Sequence, residues 1–292
     1  MTGFDWFNVL LKIITITAAF VRLIWHDFSQ DLMNYVKERT LDMQFPIRRE
    51  ALIGLAKIYK EFLCDPETPG RPYVPTRAKS AAKPINSKIL HGYYITSLED
   101  RLLVEQLFDT CLVPFQLSAD VRMKKLYLLY ATIDENATKS FNELQKSRAN
   151  VRRAVTELTD VLNSHGRDKE ILSRVAQLSK HLTDPGKAAD FIEKFVADLI
   201  RDEQMLRLLE TIVDPDISCA ECADAVTQLL KKLGQPAATN FYFYTVKLLM
   251  DRISSVLIDK DAIGYLVSCP TTTFYSLLRF RLIDNVVHPK FF

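Results

Sequence analysis

The sequence predicts an all-α fold, a helical-repeat solenoid (α-α superhelix), on three observations. Apolar residues recur at three- and four-residue intervals through most of the chain. No run alternates apolar and polar residues as a half-buried strand does. Helix start and stop signals interrupt the pattern at short intervals. Residues 41–63 carry the clearest case, because Ile47, Ala51, Leu52, Leu55, Ile58, Tyr59 and Phe62 define one wide apolar helix face. Pro46 suits the first turn of that helix, where its missing N–H costs no hydrogen bond.

Within this stretch Asp42 precedes Ile47-Arg48-Arg49, with Ala51 and Leu55 behind them, and the spacing resembles the second helix of a HEAT repeat. The resemblance makes Asp42, Arg48 and Arg49 candidates for linking neighbouring repeats or contacting a ligand. Val151-Arg152-Arg153-Ala154 echoes the signature, but the echoes are unevenly spaced, so any repeats are degenerate.

Composition bounds the function. Hydrophobic residues make up 48 % of the 292, enough for a sizeable core, and eight glycines leave little for Gly-rich phosphate loops. A net charge of +2 predicts neither a strongly nucleic-acid-binding nor an acidic protein, so charged recognition has to be local. Five cysteines are an odd number that does not suggest a disulfide framework, and a reducing compartment fits them.

Taken in order, residues 1–27 form an apolar N-terminal segment. Residues 7–25 are long enough for one membrane span, but Lys12 and Arg22 make insertion costly, so a buried first helix is expected. Residues 28–258 read as degenerate repeats. A helix over 29–39, capped by Ser29, pairs with 47–63. Residues 64–83 hold Pro66, Pro69, Pro72 and Pro75 and are expected to form an irregular insertion. A short helix over 84–95 follows, then helices over 98–112 and 119–133 with Ser97 and Ser118 as caps. Arg122, Lys124 and Lys125 are expected on an exposed basic edge of the latter. Residues 134–162 continue as one long or broken helix that stops at His165-Gly166. Further helices cover 167–181, 184–201, 203–213, 218–233 and 239–258, with Asp184-Pro185 as a start signal and Gly234-Gln235-Pro236 as a stop. Residues 259–292 read as a truncated C-terminal helical part.

Motifs for catalysis are missing from the sequence: there is no Walker loop, dinucleotide fingerprint, Gly-x-Ser-x-Gly or His-Glu-x-x-His, and no enzyme is expected. Cys219-Ala220-Glu221-Cys222 has no second ligand pair at zinc spacing and is expected to be two small buried residues. The binding candidates are Lys88, His91, Tyr93, Tyr94 and Arg101, in which two amphipathic aromatics sit beside basic groups at a helix junction. Such a group anchors a partner peptide, although either tyrosine packs equally well in a core.

Longer strings carry a more specific likeness. The segments Tyr35-Val36-Lys37-Glu38-Arg39-Thr40-Leu41-Asp42 and Ile47-Arg48-Arg49-Glu50-Ala51-Leu52 are the first. Lys88-Ile89-Leu90-His91-Gly92-Tyr93-Tyr94, Arg122-Met123-Lys124-Lys125-Leu126-Tyr127 and Asp184-Pro185-Gly186-Lys187-Ala188-Ala189-Asp190-Phe191 extend it. Together they resemble the sister-chromatid cohesion regulators called "precocious dissociation of sisters" proteins, over about residues 28–258. The resemblance implies a nuclear, non-enzymatic HEAT-repeat scaffold that binds cohesin through its kleisin subunit, works with other cohesin regulators and meets chromatin only indirectly. No direct sequence-specific nucleic-acid binding, no membrane association and no resident cofactor are expected. Inositol hexakisphosphate is a ligand of that family, carried onto no position here. Family members are much longer, so this chain is expected to be an interior part. Without the resemblance, the apolar run at 7–25 suggests a membrane-tethered helical adaptor instead.

Overall fold

The structure, a computed structural model, describes residues 29–62, 76–95, 97–164, 166–257 and 259–268, and among them every regular element is helical. The apolar run at 7–25 and the proline cluster at 66–75 lie outside the described residues, as does most of 259–292. Among the described residues no helix is long and apolar enough to cross a membrane. The chain forms two compact units. One runs up to Pro114 and resumes as Val121–Leu144, and the other takes Phe115–Asp120 and the residues from Gln145 onward.

The first unit is organised around α2 (Phe45–Phe62), against which α1 (Ser29–Arg39), α3 (Thr76–His91) and α4 (Leu98–Leu107) all pack. Its buried Ala51, Leu52, Leu55, Ile58 and Tyr59 are the face that the spacing predicts. Burying each large aliphatic side chain contributes about 1.5–3 kcal/mol, which is what fixes α2 at the centre. α3 departs from expectation, because residues 76–83 are helical where an irregular insertion is expected. Three alanines and unbranched cations favour the helix there, and Pro84 removes only one of its hydrogen bonds. α3 ends in a 3₁₀ turn, Gly92–Tyr94, and α4 continues into a single π turn, Phe108–Leu112, before Pro114. Ser97 occupies the N-cap position of α4 with extended backbone, but its side chain makes no capping bond.

α5 (Ala119–Thr132) corrects a second expectation. Arg122 is buried and not on an exposed edge. It precedes Leu126 and Leu129 by four and seven residues and so lies on the same apolar stripe as these buried leucines. α6 (Glu135–Asn163) is one unbroken helix that contributes to both units. In the first, Phe141 packs between Phe108 (5.6 Å) and Tyr130 (6.0 Å, edge-on).

In the second unit α7 (Asp168–Ser179), α8 (Pro185–Arg201), α9 (Glu203–Val213), α10 (Cys219–Lys232), α11 (Phe241–Ser254) and α12 (Lys260–Ser268) follow in order. Consecutive helices from α7 to α10 pack together, α10 packs on α11, and α11 returns to α8 and α9. One apolar cluster runs from Val151 and Leu158 of α6 through Ile192, Phe195, Leu209 and Leu229 to Leu249 and Ile253. Helix ends are closed by side chains. Asp202 accepts the N–H groups of Gln204 and Met205, and Ser218 and Glu221 form a reciprocal capping box. Gly234, at φ 97°, closes α10 in a conformation that costs a side-chain-bearing residue strain. This helix-on-helix architecture is of the HEAT-like helical-repeat class.

Candidate functional site

The sequence-predicted residues meet in the first unit, where the end of α3 turns into α4. Gly92 lets α4 pack close to the turn, since a Cβ there would lie 3.1 Å from the Val104 methyl Cγ2. A 3₁₀ turn rotates successive residues by about 120°, so Tyr93 and Tyr94 part company. Tyr93, expected at a partner face, is instead buried, and its hydroxyl donates to the buried Glu105 at 3.3 Å. Tyr94 projects outward and is 53 % exposed. Arg101 ties the turn from outside: its Nε donates to the Ile95 carbonyl (3.2 Å) and its guanidinium lies 5.7 Å from the Tyr93 ring centre.

His91, the last residue of α3, reaches Asp134 at 2.9 Å. Asp134 caps α6 by accepting the Ala137 N–H, and its own N–H donates to Ser87. Burial pushes the Asp134 carboxyl up, but bonds from Ala137, His91 and Ser87 outweigh it and hold the group below its ordinary value. Lys88 is half-buried on α3, and its charge acts on Lys37 of α1. Burial, and then the like charge of Lys88, pull the buried Lys37 ammonium below the ordinary lysine range.

Arg48 connects α2 to α4 and to the chain before α2. Its Nε and Nη2 grip the fully buried Asp100 carboxylate at 3.0 and 2.6 Å, and Nη1 donates to the carbonyls of Asp42 (2.8 Å) and Met43 (2.9 Å). The bond to Asp100 is the main reason the guanidinium is held above its ordinary value. The Asp42 carboxylate turns the other way, accepting the Gln44 N–H (3.0 Å) and pairing with Arg39 (3.3 Å). Arg49 is exposed.

Sequence reasoning passed over Asp100, Glu105, Asp134 and Lys37. A signal existed for Asp100. It leads the stripe Asp100, Leu103, Val104, Leu107, all buried, and a carboxylate at a core position needs a cation. Glu105 and Lys37 follow no such stripe and become visible only once α1, α3 and α4 are packed.

The arrangement offers one exposed aromatic, a basic rim and two like-charged ammonium groups on α1 and α3, which suits binding. Among the described residues no three His, Cys, Asp or Glu side chains gather as metal ligands. Cys219 and Cys222 are both buried, as the sequence suggests.

Known proteins share this framework. The profile of the family described as "Sister chromatid cohesion protein PDS5 protein" matches residues 12–276. The chain is 39 % identical over 267 residues to sister chromatid cohesion protein PDS5 homolog B of Gallus gallus, and equally so to that of Homo sapiens. Homolog A of Gallus gallus is 37 % identical over the same length. These alignments cover 89 % of this chain but only 18–19 % of the relatives, so the chain spans less than a fifth of their length. A solved structure titled "Structure of the Pds5-Scc1 complex and implications for cohesin function" superposes with a TM-score of 0.73 at 20 % identity. It covers 88 % of this chain and 40 % of that one, and the likeness is one of fold. With most of its length matched by the family profile, the chain belongs to the PDS5 family of sister chromatid cohesion proteins.

Proposed function

We propose that the chain is a non-enzymatic helical-repeat scaffold that binds cohesin through its kleisin subunit and regulates sister chromatid cohesion in the nucleus. Membership of the PDS5 family is the observation that carries this reading, and the fold shared with the protein of the Pds5-Scc1 complex supports it. On this reading other cohesin regulators join the same assembly, and chromatin is reached through it.

The contact face we assign is the α3–α4 junction, with Tyr94 as the anchor and Lys88, His91 and Arg101 as its polar rim. Tyrosine supplies rigid, amphipathic contact area, and basic neighbours select an acidic or polar strand. Tyr93 supports the turn from inside, and Arg48 and Asp42 hold the α1–α2 connection from which α2 starts. The test is a titration of a kleisin peptide against Tyr94→Ala, with thermal unfolding beside it. Binding should weaken by about 2 kcal/mol, the scale of an anchor residue, and the melting temperature should hold because Tyr94 is exposed. Unchanged affinity removes the site.

The repulsion that the charge of Lys88 adds at the buried Lys37 favours a second ligand of the same scaffold, a polyphosphate such as inositol hexakisphosphate. The two ammonium groups repel each other, and a bound anion relieves that repulsion. Calorimetric titration of inositol hexakisphosphate should give affinity about tenfold weaker for Lys88→Ala, the loss of one charge-assisted contact. Equal affinities would place the anion elsewhere.

A further inference from the structure

We propose that Arg152, Cys219 and Cys222 form a conformational lock in the second unit, and that the two thiols react with electrophiles only when it opens. The lock closes the corner where α9 and α11 end and α10 begins. The last carbonyls of a helix have no partner within it and need donors from elsewhere. Here those donors come from α6 and α10. Arg152, half-buried on α6, donates Nη1 to the Ile253 carbonyl (2.7 Å) at the end of α11 and Nη2 to the Asp214 carbonyl (2.8 Å) just past α9. Cys222 shares its one proton between the carbonyls of Ser254 (3.6 Å) and Ile212 (3.8 Å), again one from each helix end. Cys219 donates to the Val256 carbonyl (3.3 Å), while its backbone N–H donates to Asp259, the residue that caps α12.

The chemistry sets an order among the three donors. A thiol is a weak donor and a guanidinium a strong, charged one, so Arg152 holds the corner and the thiols fill what remains. Burial keeps both sulfurs away from reagents and pushes the Cys222 thiol up to about 11, far from the thiolate needed for attack. The Cys-x-x-Cys is thereby assigned a hydrogen-bonding role, and its accessibility reports the opening of the second unit.

N-ethylmaleimide tests this. When a thiol adds, an Sγ–C bond forms on the alkene and the thiol proton ends on the neighbouring carbon. Peptide-resolved mass spectrometry on the full chain follows each cysteine, with Cys111, buried in the other unit, as the internal reference. In the native chain Cys219 and Cys222 should label far more slowly than in urea. Arg152→Ala should speed both by about tenfold or more, each tenfold being about 1.4 kcal/mol of opening free energy, with Cys111 unchanged. Native labelling as fast as in urea, or rates untouched by Arg152→Ala, would overturn the lock. If Arg152→Ala also speeds Cys111, the whole chain has loosened and the paired variants Cys222→Ser and Cys222→Ala decide. Serine keeps a donor and alanine does not, so Cys219 should label faster in Cys222→Ala. Equal rates in the two variants would overturn the proposal.

Discussion

Arg48 and Arg152 stand in nearly the same local sequence, Ile47-Arg48-Arg49 and Val151-Arg152-Arg153, each on a long amphipathic helix whose next arginine is exposed. Their partners differ in kind. In the first unit Arg48 holds a carboxylate, Asp100, that has no exposure to solvent. In the second Arg152 holds two backbone carbonyls at helix ends. A buried carboxylate left alone is an uncompensated charge, whereas a carbonyl left alone at a helix end is a dipole that water can reach. Nearly the same three-residue signature therefore marks a buried ion pair in one unit and a helix-end clasp in the other.

The largest expected effect tests the first half of that contrast. Arg48→Ala strands the Asp100 charge and should cost about 3–5 kcal/mol in chemical unfolding. Removing both members together in an Arg48→Met, Asp100→Leu pair should recover much of the loss, because a well-packed apolar pair replaces a buried ion pair at little cost. A double variant as unstable as the single one would mean that packing, not charge, dominates there.

Next in size is Arg152→Ala, expected to cost about 2 kcal/mol for two charge-assisted bonds to carbonyls. A loss equal to that of Arg48→Ala would erase the distinction between the two arginines. Gly234→Ala probes a helix end closed by backbone geometry alone. At φ 97° the added Cβ brings strain of about 1 kcal/mol, even though open space surrounds it. A stability gain in a melting experiment would contradict that account.

The smallest effect depends on pH. Glu221, in the capping box of α10, is held down to about 2 by Lys260 first and then by Ser218. A carboxyl whose folded value is depressed adds stability that is fully present above its unfolded value, near 4.5, and is lost as pH falls towards 2. The melting temperature of Glu221→Gln should therefore trail the wild type at pH 7 and converge with it on acidification. A gap of constant size across that range would assign the difference to something other than this titration.

Much of the fold is legible in the chain because helices declare themselves locally. The α2 face, the Asp184-Pro185 start of α8 and the glycine stop at Gly234 each follow from residues within two turns of one another. Arg122 misleads because charge suggests solvent while its spacing from Leu126 and Leu129 places it on the buried stripe. The candidate site was half legible. Its members could be named, but the outward turn of Tyr94 and inward turn of Tyr93 depend on the 3₁₀ geometry of Gly92–Tyr94 and on Val104 packing against Gly92.

The residues on their own carried the helical class, the apolar face of α2, the glycine stop after α10 and the family likeness. All of these rest on short-range spacing or on long strings that need no neighbour to be recognised. The packed structure alone settled which carboxylate answers Arg48, which carbonyls answer Arg152, and that the charge of Lys88 acts on Lys37. Each of those pairs joins residues about fifty or more positions apart. Periodicity says which face of a helix is buried. It does not say which helix covers that face, and a buried charge takes its partner from the helix that does.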